Sequence, residues 1–210
     1  QPRSAYMVKK VIGPLFDPET GEYVGSQVED DVSYVGTPVP VHTGSFGTTF
    51  RFLKNFTFYF MFDWALGHHV YNMSREFQIS FGNDVEYNAL SAELGTLTPG
   101  TAEYEAVATK LAYLDPNRPY NQIQPADWVR LREISLRINA TEYLQMLIGD
   151  SYIKKLNLVA SVRNALLFTD YTGPDPTVNW AGSRTNVTRG VDFLTLQNAR
   201  TFNFIFNVGL

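Results

Sequence analysis

The stretch that most constrains the fold is Phe56–Leu66, in which large apolar residues occupy every second position. Side chains alternate across a β-strand with a period of two, so the pattern predicts a strand with one strongly apolar face. A core strand of a soluble sandwich can alternate too, but six bulky apolar positions on one face are many for such a strand. About 9–11 residues is the length of a tilted strand that crosses a bilayer. The stretch therefore favours a transmembrane β-barrel strand over a soluble core strand.

Four further segments alternate in the same way, and the first of them, residues 45–52, directly precedes the Phe56 strand. The two segments are expected to form a hairpin. If their phenylalanines share one face, the connection must hold an odd number of residues. A three-residue loop with Asn55 in the left-handed region meets that condition. The other strands are predicted at residues 127–139, 155–168 and 201–210.

The predicted strands share one apolar face, which we assign to lipid. The lipid-facing positions are Phe46, Phe50, Phe52, Phe56, Phe58, Phe60, Phe62, Trp64, Phe202, Phe204, Phe206, Val208 and Leu210. The opposite positions carry Thr, Ser and Asn together with Arg51, Asp63 and Arg163. Such a composition suits the wet interior of an antiparallel transmembrane-type β-barrel.

The alternation of residues 127–139 is imperfect, because the face that carries Ile134 runs back to Arg132 and Arg130. Two interpretations are open: the arginines lie above the hydrocarbon band, or a bulge near Arg132 resets the register. We favour the first. A charge at mid-depth in a bilayer costs about 2–4 kcal/mol, whereas near the interface it costs little.

Residues 1–42 are predicted to form a separate N-terminal hairpin and loop, ahead of the barrel strands in residues 43–210. The hairpin strands are expected at residues 6–12 and 22–28, around the turn-forming residues 17–21. Proline, aspartate and glycine in that turn are the residue types that tight turns prefer.

Two long loops interrupt the strands. The first, residues 67–125, is expected to be irregular, with no regular strand and one short helix within residues 101–114. The second covers residues 170–191, and one or two helical turns are predicted within residues 140–151. Loops of this length are usually functional, and in barrels the long loops are extracellular.

Charge and cysteine content exclude several functions. The formal net charge is −4 and the pI about 5.4, with no dense basic patch, so no nucleic-acid partner is expected. The absence of cysteine excludes disulfides and thiolate metal sites. His68 and His69 match no zinc motif, and neighbours on an extended chain point opposite ways. Because no nucleophile–base arrangement stands out either, no cofactor, metal or enzymatic activity is predicted.

Five groups of residues are similar to motifs of one transporter family. The clearest is segment 128–136, Trp-Val-Arg-Leu-Arg-Glu-Ile-Ser-Leu, which resembles that family's Leu-Arg-Glu-Ile-Ser-Leu strand. The others are Arg163-Asn164-Ala165-Leu166 with residues 171–176, Ala199-Arg200-Thr201-Phe202 with the alternating tail, Gly36-Thr37-Pro38-Val39-Pro40, and Asp63-Trp64 with Gly67, Tyr71 and Asn72. In this order they resemble the SusC/RagA-type TonB-dependent transporters over roughly residues 30–210.

The resemblance implies the last quarter of an outer-membrane barrel, without the plug and the TonB-engaging segment of that family. The chain begins at Gln1 without a start methionine, and it ends in Leu210 where the family usually has Phe. We therefore expect a processed product or a piece of a longer chain. Five strands cannot close a barrel, for which about eight is the practical minimum. The remaining barrel strands are expected from another chain or from copies of this one.

For function, the resemblance implies transport of glycan or peptide fragments across the bacterial outer membrane, beneath a surface lipoprotein and driven by TonB. Aromatic rings stack on sugar faces, while amides and carboxylates hydrogen-bond hydroxyl groups. On that basis the expected ligand contacts in the long loops are His68, His69, Tyr71, Asn72, Tyr171, Asp175, Asn179 and Trp180. The alternative is a released C-terminal fragment that self-assembles through its strand edges into an extracellular tube or filament.

Overall fold

A computed structural model describes residues 5–149, 153–182 and 189–209 of the chain. These residues group into two compact units by their contacts. Unit 1 is drawn from residues 1–41, 67–126 and 171–197, and unit 2 from residues 42–66, 127–170 and 198–210. The units follow spatial contact and not chain order. The predicted division of the chain at residue 42 stays a prediction.

Unit 2 is built on a five-stranded antiparallel sheet with the order β12-β10-β9-β6-β5. Its strands are β5 (His42–Phe52), β6 (Phe56–Leu66), β9 (Trp128–Asn139), β10 (Lys155–Thr169) and β12 (Thr201–Gly209). All five predicted long strands are thereby confirmed, and the all-β class with few short helices is supported. Within the described residues the sheet is open, so a closed barrel remains a prediction.

The hairpin of β5 and β6 has the predicted parity. Phe52 pairs with Phe56 and Phe50 with Phe58, so the phenylalanines of both strands share one face. The three-residue connection is confirmed, but the left-handed residues are Leu53 (φ 47°) and Lys54 (φ 60°), and the prediction for Asn55 was wrong. The carbonyl of Asn55 accepts the N–H of Asn139 at 2.8 Å, which keeps that residue in line with the ladder between β6 and β9.

A bulge at Arg132 sets the register of β9. Met61 pairs with Glu133 and the next residue of β6, Phe62, pairs with Leu131, so Arg132 has no partner residue across the strand pair. The favoured interpretation, with both arginines in line above the hydrocarbon band, was therefore wrong, and the bulge is correct. Its consequence is that Arg130 pairs with Asp63 on the polar face, and Leu131 joins the apolar face.

Within the part of unit 2 that the structure describes, nothing covers the apolar face of the sheet. Phe202, Phe204 and Phe206 of the edge strand β12 are 63%, 73% and 72% exposed. At the other edge, Phe46 and Phe50 of β5 are 56% and 54% exposed. The phenylalanines of the inner strand β6 are half-buried against their neighbours on the same face. Leu210, the last predicted lipid-facing residue, lies outside the described residues.

Unit 1 consists of short strands and helices. Its strands are β1 (Tyr6–Val8), β2 (Val11–Phe16), β3 (Tyr23–Val28), β4 (Ser33–Gly36), β7 (His69–Asn72), β8 (Ile123–Pro125) and β11 (Val191–Asp192). They form the pairs β1-β4 and β2-β3 and the three-stranded sheet β11-β7-β8. Its helices are α1 (Met73–Ser80), α2 (Val85–Leu94), α3 (Ala102–Ala112) and a 3-10 turn at Pro119–Gln122.

The N-terminal hairpin is present with different strands. β2 pairs with β3 around a turn in which Asp17 accepts the N–H groups of Glu19 and Thr20, and Gly21 has φ 69°. Residues 6–12 were predicted as one hairpin strand, which was wrong, because β1 pairs with β4 instead. Helix α3 packs on this hairpin, where the hydroxyl of its Tyr104 accepts the N–H of Tyr23 at 2.8 Å.

The first long loop is more regular than expected. Helix α3 within residues 101–114 is confirmed, with the Thr101 side chain as its N-cap. The expectation of no regular strand was wrong, since β7 and β8 pair with each other, and α1 and α2 add two further helices. The side chains of Asn72 and Asp84 are the N-caps of α1 and α2 and accept free N–H groups in the first turn of these helices.

The predicted helical turns after β9 are confirmed as α4 (Thr141–Ile148) in unit 2. The helix ends at Gly149, whose φ of 66° is readily adopted by glycine. Among the described residues, no helix has the length and apolar character needed to cross a membrane.

Candidate functional site

Four of the eight predicted ligand residues lie within strand β7 or directly before it. This strand is the central strand of its sheet, and neighbouring segments fix it further through backbone hydrogen bonds. The N–H of His69 donates to the carbonyl of Thr37 at 2.8 Å, and the N–H of Tyr71 donates to the carbonyl of Gly190 at 2.8 Å. The predicted residues of the first long loop therefore lie on a rigid strand.

Alternate side chains of this segment point into the interior of unit 1. His68, Val70 and Asn72 are 5%, 2% and 2% exposed. Val70 packs in the core with Ala126 and with Tyr171, a predicted ligand residue from the second loop. Asn72 accepts the N–H of Arg75 at 3.0 Å and so begins α1. These buried positions primarily organise the unit.

A buried hydrogen-bond network lies beside the strand, centred on Asp192, which is fully buried. The hydroxyl of Tyr171 donates to its carboxylate at 2.9 Å, and the hydroxyl of Ser74 lies 3.2 Å from the other carboxylate oxygen. Burial raises the pKa of Asp192 above its ordinary value, although the hydrogen bonds from Tyr171 and Ser74 act to lower it. Burial, and then the charge of Asp192, also raise the pKa of Tyr171.

Beside this network is a polar cleft of about 380 Å³. Its lining residues are Asn72, Ser74, Arg75, Gln78, Asp84, Glu86, Thr172, Gly173 and Pro174. Arg75 binds Asp84 at 3.0 Å and Glu86 at 2.6 Å. Partial burial acts to raise the pKa of Asp84, but hydrogen bonds from the N–H of Tyr87 and from Arg75 outweigh it, so the pKa is lowered. The cleft is thus lined by charged groups of both signs.

A second cavity of about 340 Å³ has an aromatic lining. Tyr113, Tyr120, His69 and Asn121 are among the residues that line it. The His69 ring occupies this position because residue 36 is glycine, since a Cβ there would overlap the ring. Phenol rings with an adjacent amide offer the stacking surface and hydrogen bonds that sugar rings use.

The predicted residues of the second loop have different environments. Asp175 is 2% exposed and accepts the N–H and hydroxyl of Thr177 at 3.0 and 2.7 Å. Asn179 donates to the carbonyl of Gly182 at 2.7 Å. Trp180 is 56% exposed, with its ring edge-on to Phe193. Asp175 and Asn179 hold the loop in shape, whereas the Trp180 ring is accessible.

The structure brings the predicted ligand residues together only in part. His69 lines the aromatic cavity and Asn72 the polar cleft. Sequence reasoning missed Arg75, Asp84 and Asp192. The two N-cap patterns at Asn72 and Asp84 were the available signal for helices there. Among the described residues, no group of three or more His, Cys, Asp or Glu could hold a metal ion. The ligand role of the eight predicted residues stays a prediction.

The chain is similar in sequence to two TonB-dependent receptors. It is 26% identical over 190 residues to TonB-dependent receptor P3 of Formosa agariphila, covering 85% of this chain and 17% of that protein. TonB-dependent receptor P39 of the same organism is 25% identical over 176 residues, covering 80% of this chain and 16% of that protein. No family model matches the chain.

Solved structures show the same fold. The RagAB peptide importer in the closed-closed state aligns with a TM-score of 0.62 and 16% identity, over 97% of this chain and 23% of that one. The RagAB peptide transporter aligns with a TM-score of 0.56 and 18% identity, over 83% and 20%. This chain thus spans about a sixth of the length of the curated relatives, 17% and 16%. The predicted resemblance to SusC/RagA-type TonB-dependent transporters is confirmed, and the match to their C-terminal part stays a prediction.

Proposed function

From this likeness to TonB-dependent receptors, we propose that the chain forms part of the barrel wall and external loops of an outer-membrane transporter for glycan or peptide fragments. The observation that carries the proposal is the two-faced sheet of unit 2. One face presents phenylalanines to the surroundings, and the other carries charged and polar side chains.

The exposed phenylalanines support a lipid-facing wall. Phe202, Phe204 and Phe206 are each more than three-fifths exposed, and they continue the face formed by Ala160 and Leu158 of β10. Exposure of a contiguous apolar surface to water is unfavourable in free energy, and such surfaces mark contacts with lipid or protein. Strands of nine to fifteen residues are long enough to cross the hydrocarbon layer at a tilt.

The polar face supports a wet interior. Arg132 hydrogen-bonds Asp63, and Arg163 lies 3.5 Å from Glu133. The guanidinium carbon of Arg130 lies 5.4 Å from the centroid of the Trp128 ring, over its face. Charges of this density are tolerated where water or other polar groups reach them, and they are costly against lipid.

The two edges of the sheet indicate how the wall continues. In the described chain, β5 and β12 each pair with one strand only, which leaves one side of each without a backbone partner. Unpaired edges in lipid would leave backbone groups without hydrogen bonds. We infer that the remaining barrel strands pair there, supplied by a longer polypeptide that contains this chain or by other chains.

We propose that the ligand contacts the cavities and loops of unit 1. The aromatic cavity with His69 suits a sugar ring, and the cleft with Arg75, Asp84 and Glu86 suits the charged ends of a peptide. Trp180 is proposed as an accessible stacking residue. A surface lipoprotein above the loops and TonB on the opposite side are proposed partners.

Uptake measurements test this function. Cells that express the intact protein are given fluorescent oligosaccharides or peptides, with and without functional TonB. TonB-dependent uptake of one class is expected, and uptake of neither class would overturn the transport proposal. Trp180→Ala is expected to reduce uptake, while Phe81→Ala, an aromatic residue 72% exposed in the same unit, serves as the matched control.

The same unpaired edges favour one alternative, a fragment that self-assembles through β5 and β12 into a tube or filament. Intact-mass measurement and electron microscopy separate the two proposals. A single 23.8 kDa species in filaments supports the alternative and rules out an active transporter. A much longer polypeptide in the outer-membrane fraction supports transport.

A further inference from the structure

Helix α4 carries an apolar surface that the described residues of unit 2 do not cover. None of its side chains is buried, and Met146 and Leu147 are 78% and 83% exposed. Tyr143 and Ile148 are about half exposed, at 50% and 49%. The helix is nevertheless well anchored, because the N–H of Leu156 donates to the Thr141 hydroxyl at 3.0 Å. A fixed helix thus displays apolar side chains to its surroundings.

The apolar residues of α4 lie on one side. At about 100° per residue, Thr141, Glu142 and Gln145 share one arc of the helix. The remaining arc is formed by Tyr143, Leu144, Met146, Leu147 and Ile148. Such a division is typical of a helix that lies at a boundary between water and an apolar phase.

The turn between β5 and β6 adds a further apolar residue at the same end of the sheet. Glu142 of α4 lies 2.6 Å from Lys54 and 3.4 Å from the Asn55 amide, so the turn and the helix are in contact. Beside them Leu53 is 78% exposed. Its φ of 47° is a conformation for which turns prefer asparagine or glycine. The geometry of the turn therefore does not explain a leucine there.

The turn and α4 directly follow strand ends that carry the apolar face of the sheet. Phe52, directly before the turn, pairs with Phe56, directly after it. Their rings are stacked, with centroids 5.4 Å apart. Ile138 pairs with Phe56 next to the start of α4. The exposed surface of Leu53, Tyr143, Met146, Leu147 and Ile148, here called the α4 patch, therefore lies where the phenylalanine face reaches its end.

Charged and aromatic groups at this end fit a phospholipid surface. Lys54 and Lys154 are exposed, and Tyr143 provides an aromatic ring with a polar tip. Lysines reach toward headgroups while their stems lie along apolar surface, and tyrosine is enriched where hydrocarbon meets water. A protein partner would explain the exposed apolar side chains but not their position at the end of the sheet face.

We propose that the α4 patch is an interfacial anchor, which lies in the phospholipid leaflet on the side of the membrane where the strands are joined by the β5–β6 turn and α4. Leu147 and Met146 enter the upper acyl chains, and Lys54 remains among the headgroups. This inference rests on the proposed function, in which the sheet of unit 2 spans the membrane.

Site-directed spin labelling tests the anchor, since the chain has no cysteine and an introduced one gives the sole label within it. The intact protein is placed in vesicles of phosphatidylethanolamine and phosphatidylglycerol. Collisions of each label with oxygen, which concentrates in lipid, are compared with collisions with a water-soluble nickel chelate. The variants are Leu147→Cys in the α4 patch and Glu142→Cys on the polar arc of the same helix.

Two further labels separate this inference from the proposed function. Phe204→Cys reports on the spanning sheet, and Leu196→Cys, 92% exposed in unit 1, reports on water. Oxygen contact is expected to dominate at 147 and 204, and nickel contact at 142 and 196.

Each other outcome overturns a defined claim. Oxygen contact at 204 with nickel contact at 147 overturns the anchor alone. A label at 147 that neither reagent reaches means that protein covers the α4 patch, and this also overturns the anchor. Nickel contact at 204 overturns the spanning sheet, and the anchor with it.

Discussion

The sheet of unit 2 and the small sheet of unit 1 place their large and their polar side chains in opposite ways. In unit 2 the largest apolar residues face the surroundings, with Phe204 and Phe206 73% and 72% exposed. In unit 1 the most completely buried side chains include Ser26, Asn72 and Asp192. If the sheet of unit 2 faces lipid as proposed, its stability depends on an apolar environment, whereas unit 1 depends on hydrogen bonds that its own residues make.

The same contrast appears in the energy of single groups. A phenylalanine that faces lipid is stabilised by an environment that the chain does not itself provide, so its contribution changes with the solvent. A buried carboxylate such as Asp192 is stable only while Tyr171 and Ser74 remain in place. The effect of a substitution on stability should therefore depend on the membrane in unit 2 and on pH in unit 1.

The largest effect is expected for arginine on the apolar face of β12. Phe204→Arg should lower the free energy of unfolding in lipid vesicles by about 2–4 kcal/mol, because the charge would lie near mid-depth in the bilayer. The matched control is Asn203→Arg, one residue away on the polar face, where the change should be small. Urea titration of vesicle-bound protein measures both. Equal losses at the two positions would contradict a lipid-facing assignment.

A smaller effect is expected when the buried network of unit 1 loses its acceptor. Asp192→Ala leaves the Tyr171 hydroxyl without an acceptor in the interior, which should destabilise unit 1 by about 1–3 kcal/mol. Hydrogen exchange at the amide of Tyr71, which donates to Gly190 next to β11, should become faster. Asp192→Ala combined with Tyr171→Phe removes both partners and should recover part of the loss. Unchanged exchange in the single variant would show that the network is not needed.

The two units also differ in how far the sequence predicts them. Alternation of side chains predicted every long strand of unit 2 and the shared face of Phe50 and Phe58, because a strand with one apolar face has a single register. It did not distinguish a bulge at Arg132 from arginines that lie above the hydrocarbon band, because either arrangement keeps the arginine charges away from lipid. The pairing of Arg130 with Asp63 is a contact between distant parts of the chain.

Unit 1 was less predictable for a physical reason. Its strands β7 and β11 have four and two residues, too short for alternation to be read, and they are held by partners far away in sequence. The N-caps at Asn72 and Asp84 were readable, but the assembly of Asp192 with Ser74 was not. Local patterns therefore predicted α3 alone of its helices, the cap patterns before α1 and α2 were not used, and tertiary contacts formed the candidate site.

The next prediction concerns pH, and its two groups act with opposite signs. The raised pKa of Asp192 means that its contribution to the stability of unit 1 is complete below the ordinary pKa, near 3.8, and is lost as the pH rises through the folded value. The lowered pKa of Asp84 gives a contribution that is present above the ordinary value and lost as the pH falls through the folded value.

Variants separate these two contributions. Asp192→Asn should flatten the part of the stability profile in which unit 1 weakens as the pH rises above about 4. Asp84→Asn should instead remove the loss of stability on the acidic side. Hydrogen exchange at Tyr71 across that pH range reports on unit 1. If Asp192→Asn left the profile unchanged, the carboxyl of Asp192 would have an ordinary pKa in the folded protein.

The smallest effect is expected at the ion pair between Lys54 and Glu142, whose side chains are 76% and 47% exposed. Exposed pairs gain little, because water screens the charges and ordering both side chains costs entropy. Lys54→Gln should leave the stability of unit 2 in detergent indistinguishable from the parent protein. In anionic vesicles the same change should weaken membrane contact of the α4 patch, seen as lower oxygen accessibility of a label at residue 147. A clear loss of stability in detergent would instead show that the pair itself holds the β5–β6 turn to α4.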